Sequence, residues 1–435
     1  MPSIADLRGS DTAKAAGLAG AMIANNVVAL GSTIVFARLL SDYGSLAALV
    51  SYFLILSVAG QALQVATARE GVLGHLGVGP GLTATLRSWM RSLLWFTLAT
   101  TVVSVLLRDP IAGAVGVKHD QWAAAIGLPA GCMWIGLSIL RGALQGVGDY
   151  KSVGISLIGE QSARLVSGAA LAAAGLGVTG AYIGTPVSFA AMGIFCAAAL
   201  RREIRGISAA QAPSAAVATA PALSLSTHVK RAWAPIAGLI VIAVLQNIDI
   251  IAAKHRFGST KDLASSYAAT AVAAKVLIWV AVGAGFYLVP EVSRRRANGE
   301  DTRPVLARAI GIILVCAVPV LLIFAFGARP LLRLGFGPHR LLAVHALLVL
   351  GIAFTVLACT YLAIQYMLAL KRTWFLIVLG MVAVAEPVLL LGASRNPTGF
   401  AAVVLAIQAI GAVLAFALAL RRPGEPTPVA VAEPA

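Results

Sequence analysis

The sequence predicts an all-α polytopic membrane protein, with about twelve transmembrane helices in two six-helix lobes around a central cavity. The 435-residue chain is 59% hydrophobic and 11% charged, with a mean hydropathy of +0.90, whereas soluble domains carry about 25% charged residues. Apolar stretches of the ~20 residues that cross a bilayer recur along the chain. The net charge of +16 lies at the ends of these stretches, so it indicates topology and contact with membrane lipids, and no nucleic-acid partner is expected.

The apolar stretches give twelve predicted spans. They lie near residues 15–38, 44–67, 87–107, 122–145, 152–174, 178–200, 232–253, 263–289, 304–327, 341–369, 373–393 and 398–420. Lysine and arginine concentrate in cytoplasmic loops, and with the N-terminus inside the cytoplasmic side collects about twice as many of them as the outer side. Both termini are therefore predicted to be cytoplasmic, in a bacterial inner membrane.

The longest segment outside the spans divides them six and six. Its middle, SAAQAPSAAVATAPALSLST, has the Ala-, Pro- and Ser-rich composition of a linker. The predicted domains are an N-terminal lobe (1–200), a cytoplasmic linker (201–231), a C-terminal lobe (232–422) and a disordered tail (423–435).

Polar residues recur at matching places in the two halves. Adjacent amides lie in the first span of each half, in ANNVV and LQNID, and a glutamate lies in the fifth span of each, Glu160 and Glu386. Two halves with the same in–out sense are typical of transporters built from parallel repeats.

Asp249 and Lys275 are the acid and the base that the sequence places within two consecutive apolar spans. Ionisable residues inside a membrane are costly, and they usually face a bundle interior or a wet cavity. A cavity-lining role for both residues is the preferred interpretation, and a static structural pair is the alternative. Spacing along the chain leaves open whether they meet.

The two glutamates differ in their local partners. Glu160 lies roughly 13 Å along its helix from Lys151, and Arg164 follows one turn later in the favourable order for an ion pair. That pair either locks helices together or serves the cavity. Glu386 precedes Pro387, has no partner in its own helix, and is either protonated and silent or a proton carrier. Glu160 and Glu386 are the predicted ion-coupling residues.

The remaining predicted cavity residues are one arginine and three amides. Arg141 is expected either at the inner mouth of the cavity or reaching towards the headgroups. Asn25, Asn26 and Asn247 are expected to contact substrate, or to hydrogen-bond between helices.

No pattern indicates an enzyme. The chain has no P-loop Lys–Ser/Thr motif, and neither its six histidines nor its four cysteines have metal-ligand spacing. No cofactor is therefore expected.

Several stretches resemble the MATE/oligosaccharidyl-lipid/polysaccharide exporter (MOP) superfamily. FARLLSDYGSLAALVSYFLIL resembles its turn into the second helix, and LRGALQGVGDYKSVGISLIGE its turn between helices four and five. GLGVTGAYIGTPVS is similar to its hairpin between helices five and six. SSYAATAVAAKVL with FYLVPEVSRR resembles its eighth helix, and YLAIQYMLALKRT the end of its tenth.

Within that superfamily the chain looks most like the branch that flips polysaccharides or lipid-linked oligosaccharides. Lys275 falls where such flippases often hold a basic cavity residue. The drug-antiporter branch usually places an acid in its first helix, where this chain has Asn25 and Asn26. The resemblance implies that basic groups attract an anionic diphosphate or glycan headgroup.

The predicted function is a flippase that moves a polyprenyl-diphosphate-linked oligosaccharide or related anionic glycolipid by alternating access. Its expected partners are that lipid-linked glycan, membrane lipids and glycan-synthesis enzymes. Two alternatives stay open from the sequence: a cation-coupled multidrug exporter of the MATE type, and a non-transporting scaffold of a glycan-synthesis complex.

Overall fold

A computed structural model describes residues 11–77, 79–210, 224–258 and 260–421, and within those ranges the regular structure is entirely helical. The helices are α1 Asp11–Leu39, α2 Tyr43–Val72, α3 Pro80–Leu106, α4 Arg108–Val115, α5 Gln121–Gly146, α6 Tyr150–Leu171, α7 Gly177–Ala210, α8 Leu225–Arg231, α9 Trp233–Phe257, α10 Lys261–Ala274, α11 Val276–Ala297, α12 Arg303–Phe326, α13 Ala328–Phe336, α14 Ala346–Ala369, α15 Phe375–Gly392 and α16 Pro397–Leu420.

Eleven helical stretches in the described residues are long and apolar enough to cross a bilayer. One of them, Tyr150–Arg205, contains two crossings, α6 and α7. A five-residue π turn separates them, and Gly175 at φ 97° supplies a backbone conformation that glycine adopts readily. Gly168 and Gly184 then let the two helices pack backbone to backbone in an antiparallel hairpin. The polytopic all-α fold is therefore confirmed, with crossings that match the twelve predicted spans.

The two halves repeat one packing arrangement. In the first half, α1 packs on α6, α2 on α5, α3 on α5, and α7 on both α5 and α6. In the second half α9 packs on α15, α10 and α11 on α14, α12 on α14, and α16 on both α14 and α15. A short helix, α4 or α13, follows the third crossing of each half. The weak sequence repeat thus corresponds to a structural one.

The predicted linker is helical at both of its described ends. Helix α7 continues to Ala210, ten residues beyond the predicted end of the first lobe, and α8 occupies Leu225–Arg231. His228 of α8 is buried against the first lobe, 3.1 Å from Thr67 Oγ1 and stacked on Trp89. Residues 211–223 and the predicted tail at 423–435 lie outside the described residues.

Candidate functional site

The N-terminal lobe holds a buried carboxylate between two arginines. Arg164 Nη2 donates to Glu160 Oε1 at 2.6 Å, and Arg141 Nη1 lies 3.0 Å from Glu160 Oε2. Arg141 also donates to the side chain and the carbonyl of Ser156, both at 2.8 Å. Ser156, Glu160 and Arg164 share one face of α6 because they are four residues apart. With one acid and two bases, the cluster carries one uncompensated positive charge.

Arg164 is the member of this cluster that stays accessible. Its side chain is 16% exposed, whereas that of Arg141 is fully buried. The Arg164 guanidinium lies 5.4 Å from the ring of Phe189 and 5.9 Å from that of Phe53. Aromatic faces stabilise a cation without neutralising it. The excess charge of the cluster is therefore available to an anion at Arg164.

Several hydrogen-bond donors in this lobe lack an acceptor. Among the described residues of this lobe, Arg164 Nε, Ser138 Oγ and Tyr182 OH are buried with neither a hydrogen bond nor an ion-pair contact, and Arg141 Nη1 lacks a hydrogen bond but lies in ion-pair contact with Glu160. Buried polar groups are nearly always paired with protein, water or a ligand. Three unsatisfied groups that can all donate, in a lobe with excess positive charge, suit a ligand that brings oxygen acceptors and negative charge.

The location of Arg141 corrects the expectation from sequence. The residue lies neither at an inner mouth nor at the headgroups, because its guanidinium is enclosed by Glu160, Ser156 and the ring of Trp134, 5.5 Å away. Arg141 therefore holds Glu160 in place, and the i,i+4 partner Arg164 is the exposed cation of the cluster.

The C-terminal lobe holds a second charged cluster. Lys275 Nζ donates to Asp249 Oδ1 at 3.1 Å, and Tyr267 OH donates to Asp249 Oδ2 at 3.4 Å. The Lys275 ammonium also lies 5.0 Å from the ring of Phe354. Asp249 and Lys275 do pair, and both are buried in the packed interior of the lobe. A contact with substrate requires this lobe to open, so their role in a cavity stays a prediction.

Lys275 also marks a break in the eighth crossing. It separates α10 from α11, and Ile278 N bonds to Lys275 O at 3.0 Å in a tighter i→i+3 pattern. Short 3₁₀-type turns inside a helix often mark a hinge. The ion pair is thus located at a candidate hinge of this crossing.

Glu386 is buried with an amide as its partner. Gln408 Nε2 donates to Glu386 Oε1 at 3.1 Å and to Leu245 O at 2.9 Å. Glu386 Oε2 has no hydrogen-bond partner among the described residues. Sequence reasoning missed Gln408, although a lone glutamine in the middle of an apolar span was a usable signal.

The predicted amides are engaged in local contacts. Asn25 Nδ2 donates to Asn26 Oδ1 at 3.4 Å, and both residues are partly buried. Asn247 is buried and donates to Ala243 O at 3.0 Å within its own helix. These hydrogen bonds do not connect any of the three amides to the charged clusters. Their contact with substrate stays a prediction.

The two lobes are bonded together at one end of the bundle. This end carries the α1–α2 and α9–α10 connections, which the charge bias predicts to face outward, and it is called the outer end below. Lys254 Nζ donates to both oxygens of Asp42, at 2.8 and 2.9 Å. Gly44 N donates to Ser265 Oγ at 3.0 Å. A Cβ at Gly44 would meet Ser265 N at 3.1 Å, so glycine permits this close approach.

Two arginines reinforce this closure from opposite lobes. Arg38, at the end of α1, donates to the carbonyls of Leu334 and Gly335 in the last turn of α13. Arg340 of the second lobe is buried and donates to the carbonyls of Leu40 at 2.7 Å and Ser41 at 3.1 Å, just past α1. Each cation therefore stabilises the negative end of a helix in the other lobe. This pair is called the arginine clamp.

Two aspartates near the outer end titrate differently. Burial raises the pKa of Asp42. The hydrogen bond and charge of Lys254, together with the hydrogen bonds of Ser45, lower it by more, so the pKa lies below its usual value. Burial, and then the charge of Asp42, raise the pKa of Asp120. A depressed aspartate pKa contributes stability at neutral pH that is lost as the pH falls through that pKa.

The outer end is therefore expected to stay closed from neutral pH down to about pH 4, and to open at neutral pH in Asp42→Asn. A cysteine placed at buried Ala264, beside Gly44, reports opening through its labelling by a membrane-impermeant maleimide. Asp120→Asn is the control, because it leaves the Asp42–Lys254 pair intact. Equal labelling of the Asp42→Asn variant and the parent would show that this pair does not hold the lobes together.

Two repeated six-helix lobes, bonded at one end and each enclosing a charged cluster, are an arrangement that recurs among secondary membrane transporters. No protein-family profile and no curated protein sequence matches the chain. Solved structures match it over nearly its whole length. The lipid II flippase MurJ in an inward closed conformation is 14% identical with a TM-score of 0.69, over 92% of this chain and 87% of that one.

Multidrug transporters match as well. An inward-facing MATE family transporter of the MOP superfamily is 13% identical with a TM-score of 0.59, over 91% of this chain and 93% of that one. The Vibrio cholerae MATE transporter VcmN in its bent form is 15% identical with a TM-score of 0.58, over 94% and 96%. The chain therefore has the fold of MOP-superfamily transporters, and the resemblance noted in the sequence is confirmed at the level of the fold.

Proposed function

We propose that this chain is a flippase of the bacterial inner membrane, with both termini in the cytoplasm. It moves a polyprenyl-diphosphate-linked oligosaccharide, or a related anionic glycolipid, to the outer leaflet by alternating access of its lobes. The observation that carries the proposal is the excess positive charge at Arg164, beside buried donors that lack acceptors. A diphosphate supplies both the negative charge and the acceptor oxygens that this lobe lacks.

The charge distribution favours an anionic headgroup over a cationic drug. The accessible member of the N-terminal cluster is a cation, and the first crossing carries paired amides where the resemblance to the drug-antiporter branch would imply an acid. The similarity to a structure described as a lipid II flippase supports the same reading. With that end facing outward, as the charge bias predicts, its closure supports a state that loads from the cytoplasmic side.

The C-terminal cluster would couple transport to a proton. Glu386 has one oxygen bonded to Gln408 and one oxygen without a donor, so the carboxyl can hold a proton with little rearrangement. Glu160, in the matching crossing of the other lobe, is held between two arginines. Of the two predicted coupling residues, Glu386 therefore carries the proton and Glu160 fixes the anion site.

Binding by the purified protein in detergent tests this proposal with a fluorescent polyprenyl diphosphate as the probe. Arg164→Gln is expected to weaken binding about ten- to hundred-fold, as for the loss of a hydrogen bond to a charged group. Arg164→Lys should retain part of the affinity, and Arg91→Gln, an exposed arginine on α3, should retain all of it. Tight binding of ethidium with no measurable affinity for the diphosphate would favour a multidrug exporter instead.

A further inference from the structure

The short helix α13 presents three different faces at the outer end. Leu332 and Phe336 are buried on the protein side. Arg329 and Arg333, one turn apart, form an exposed basic stripe. Pro330, Leu331 and Leu334 form an exposed apolar stripe on the remaining side, and Phe326 in the preceding turn is 87% exposed. Such a division is typical of a helix lying in the plane of the membrane interface.

The basic stripe has no counter-charge in the protein. Among the described residues, neither Arg329 nor Arg333 makes an ion pair or a side-chain hydrogen bond. The chain has no aspartate or glutamate between Asp301 and Glu386. Arg38 adds a third exposed cation where it caps the helix. The surface therefore combines uncompensated positive charge with an exposed apolar stripe.

We propose that α13 binds the phosphate of an anionic phospholipid in the leaflet at this end, the outer one in the predicted orientation. Arg329 and Arg333 contact the headgroup, and Pro330, Leu331 and Leu334 lie against its acyl chains. The arginine clamp joins α13 to the end of α1, so a bound lipid stabilises the closed outer end. This role does not depend on which substrate is carried.

Hydrogen–deuterium exchange of the full-length protein in nanodiscs tests this site. Amides of 328–336 are expected to exchange more slowly as phosphatidylglycerol replaces phosphatidylcholine. In the double variant Arg329→Gln/Arg333→Gln, the fraction of phosphatidylglycerol that gives half of the maximal protection should rise about 25-fold, because each arginine contributes about five-fold. If that fraction exceeds pure phosphatidylglycerol, half-maximal protection is not reached. Arg329→Lys/Arg333→Lys keeps the charge and should keep most of the protection. Arg87→Gln/Arg91→Gln, an equally spaced exposed pair on α3, should leave it unchanged.

Three outcomes would overturn the proposal. Equal protection in phosphatidylcholine and phosphatidylglycerol would exclude an anionic lipid as the ligand of α13. Full protection in phosphatidylcholine on adding inorganic phosphate would make the ligand a soluble anion. Unchanged protection in the double glutamine variant would remove the two arginines, and the exchange pattern of the rest of the chain shows whether that variant is folded.

Discussion

Glu160→Gln is expected to destabilise the protein by about 3–5 kcal/mol, the cost of leaving a buried charge without its partner. Arg141 is fully buried and its counter-charge is Glu160, 3.0 Å away. Glutamine keeps the shape of the side chain but leaves the cationic guanidinium in the lobe interior. Thermal unfolding of the purified protein in detergent measures the loss.

Glu386→Gln is the matched control for this prediction. Glu386 is the acid in the corresponding crossing, and it accepts a hydrogen bond from the neutral Gln408 amide. An isosteric neutral replacement there strands no buried charge, so the stability should change by less than about 1 kcal/mol. If the two variants melt at the same temperature, the lobes do not differ in how they neutralise their acids.

Lys275→Met is expected to cost a similar amount, about 3–5 kcal/mol, because it leaves Asp249 ionised or forces it to take up a proton. Asp249 is fully buried, and its other polar contact is the Tyr267 hydroxyl at 3.4 Å. Asp249→Asn/Lys275→Met removes both charges and should restore most of the stability. Unfolding of the three proteins under the same conditions gives the coupling energy of the pair.

The same double variant separates a structural role for Lys275 from a functional one. If the Asp249–Lys275 pair is part of the transport cycle, the double variant should be stable but inactive. It lacks the ion pair that would hold the break between α10 and α11 in one of its conformations. Normal transport by the double variant would remove Lys275 from the mechanism and leave the pair as a packing device.

The crossings were predictable because hydrophobic length is a property of the local sequence. The Glu160–Arg164 pair was likewise predictable, because side chains four residues apart on one helix are neighbours. Arg141 was expected at the inner mouth of the cavity or near the headgroups, whereas its buried position is set by the packing of α5 against α6. Contacts between helices depend on rotation about each helix axis, which composition does not reveal.

The bonds at the outer end were missed for a related reason. Asp42 and Lys254 lie between the predicted spans, where charged side chains normally face solvent. Only the packing of α2 on α9 brings these residues, 212 positions apart, into contact. Part of the positive charge at the outer end, that of Lys254, therefore bonds the two lobes together and does not only mark the orientation of the chain.

The most direct test of the account is translocation by the protein alone. Vesicles that contain the purified chain and a fluorescent polyprenyl diphosphate are exposed to a membrane-impermeant phosphatase, which reaches only the outer leaflet. The inner-leaflet half of the probe should become accessible with the parent protein and stay protected with Arg164→Gln. The proposed function would be contradicted if the inner-leaflet half of the probe stays protected with the parent protein as well, in vesicles that do transport ethidium.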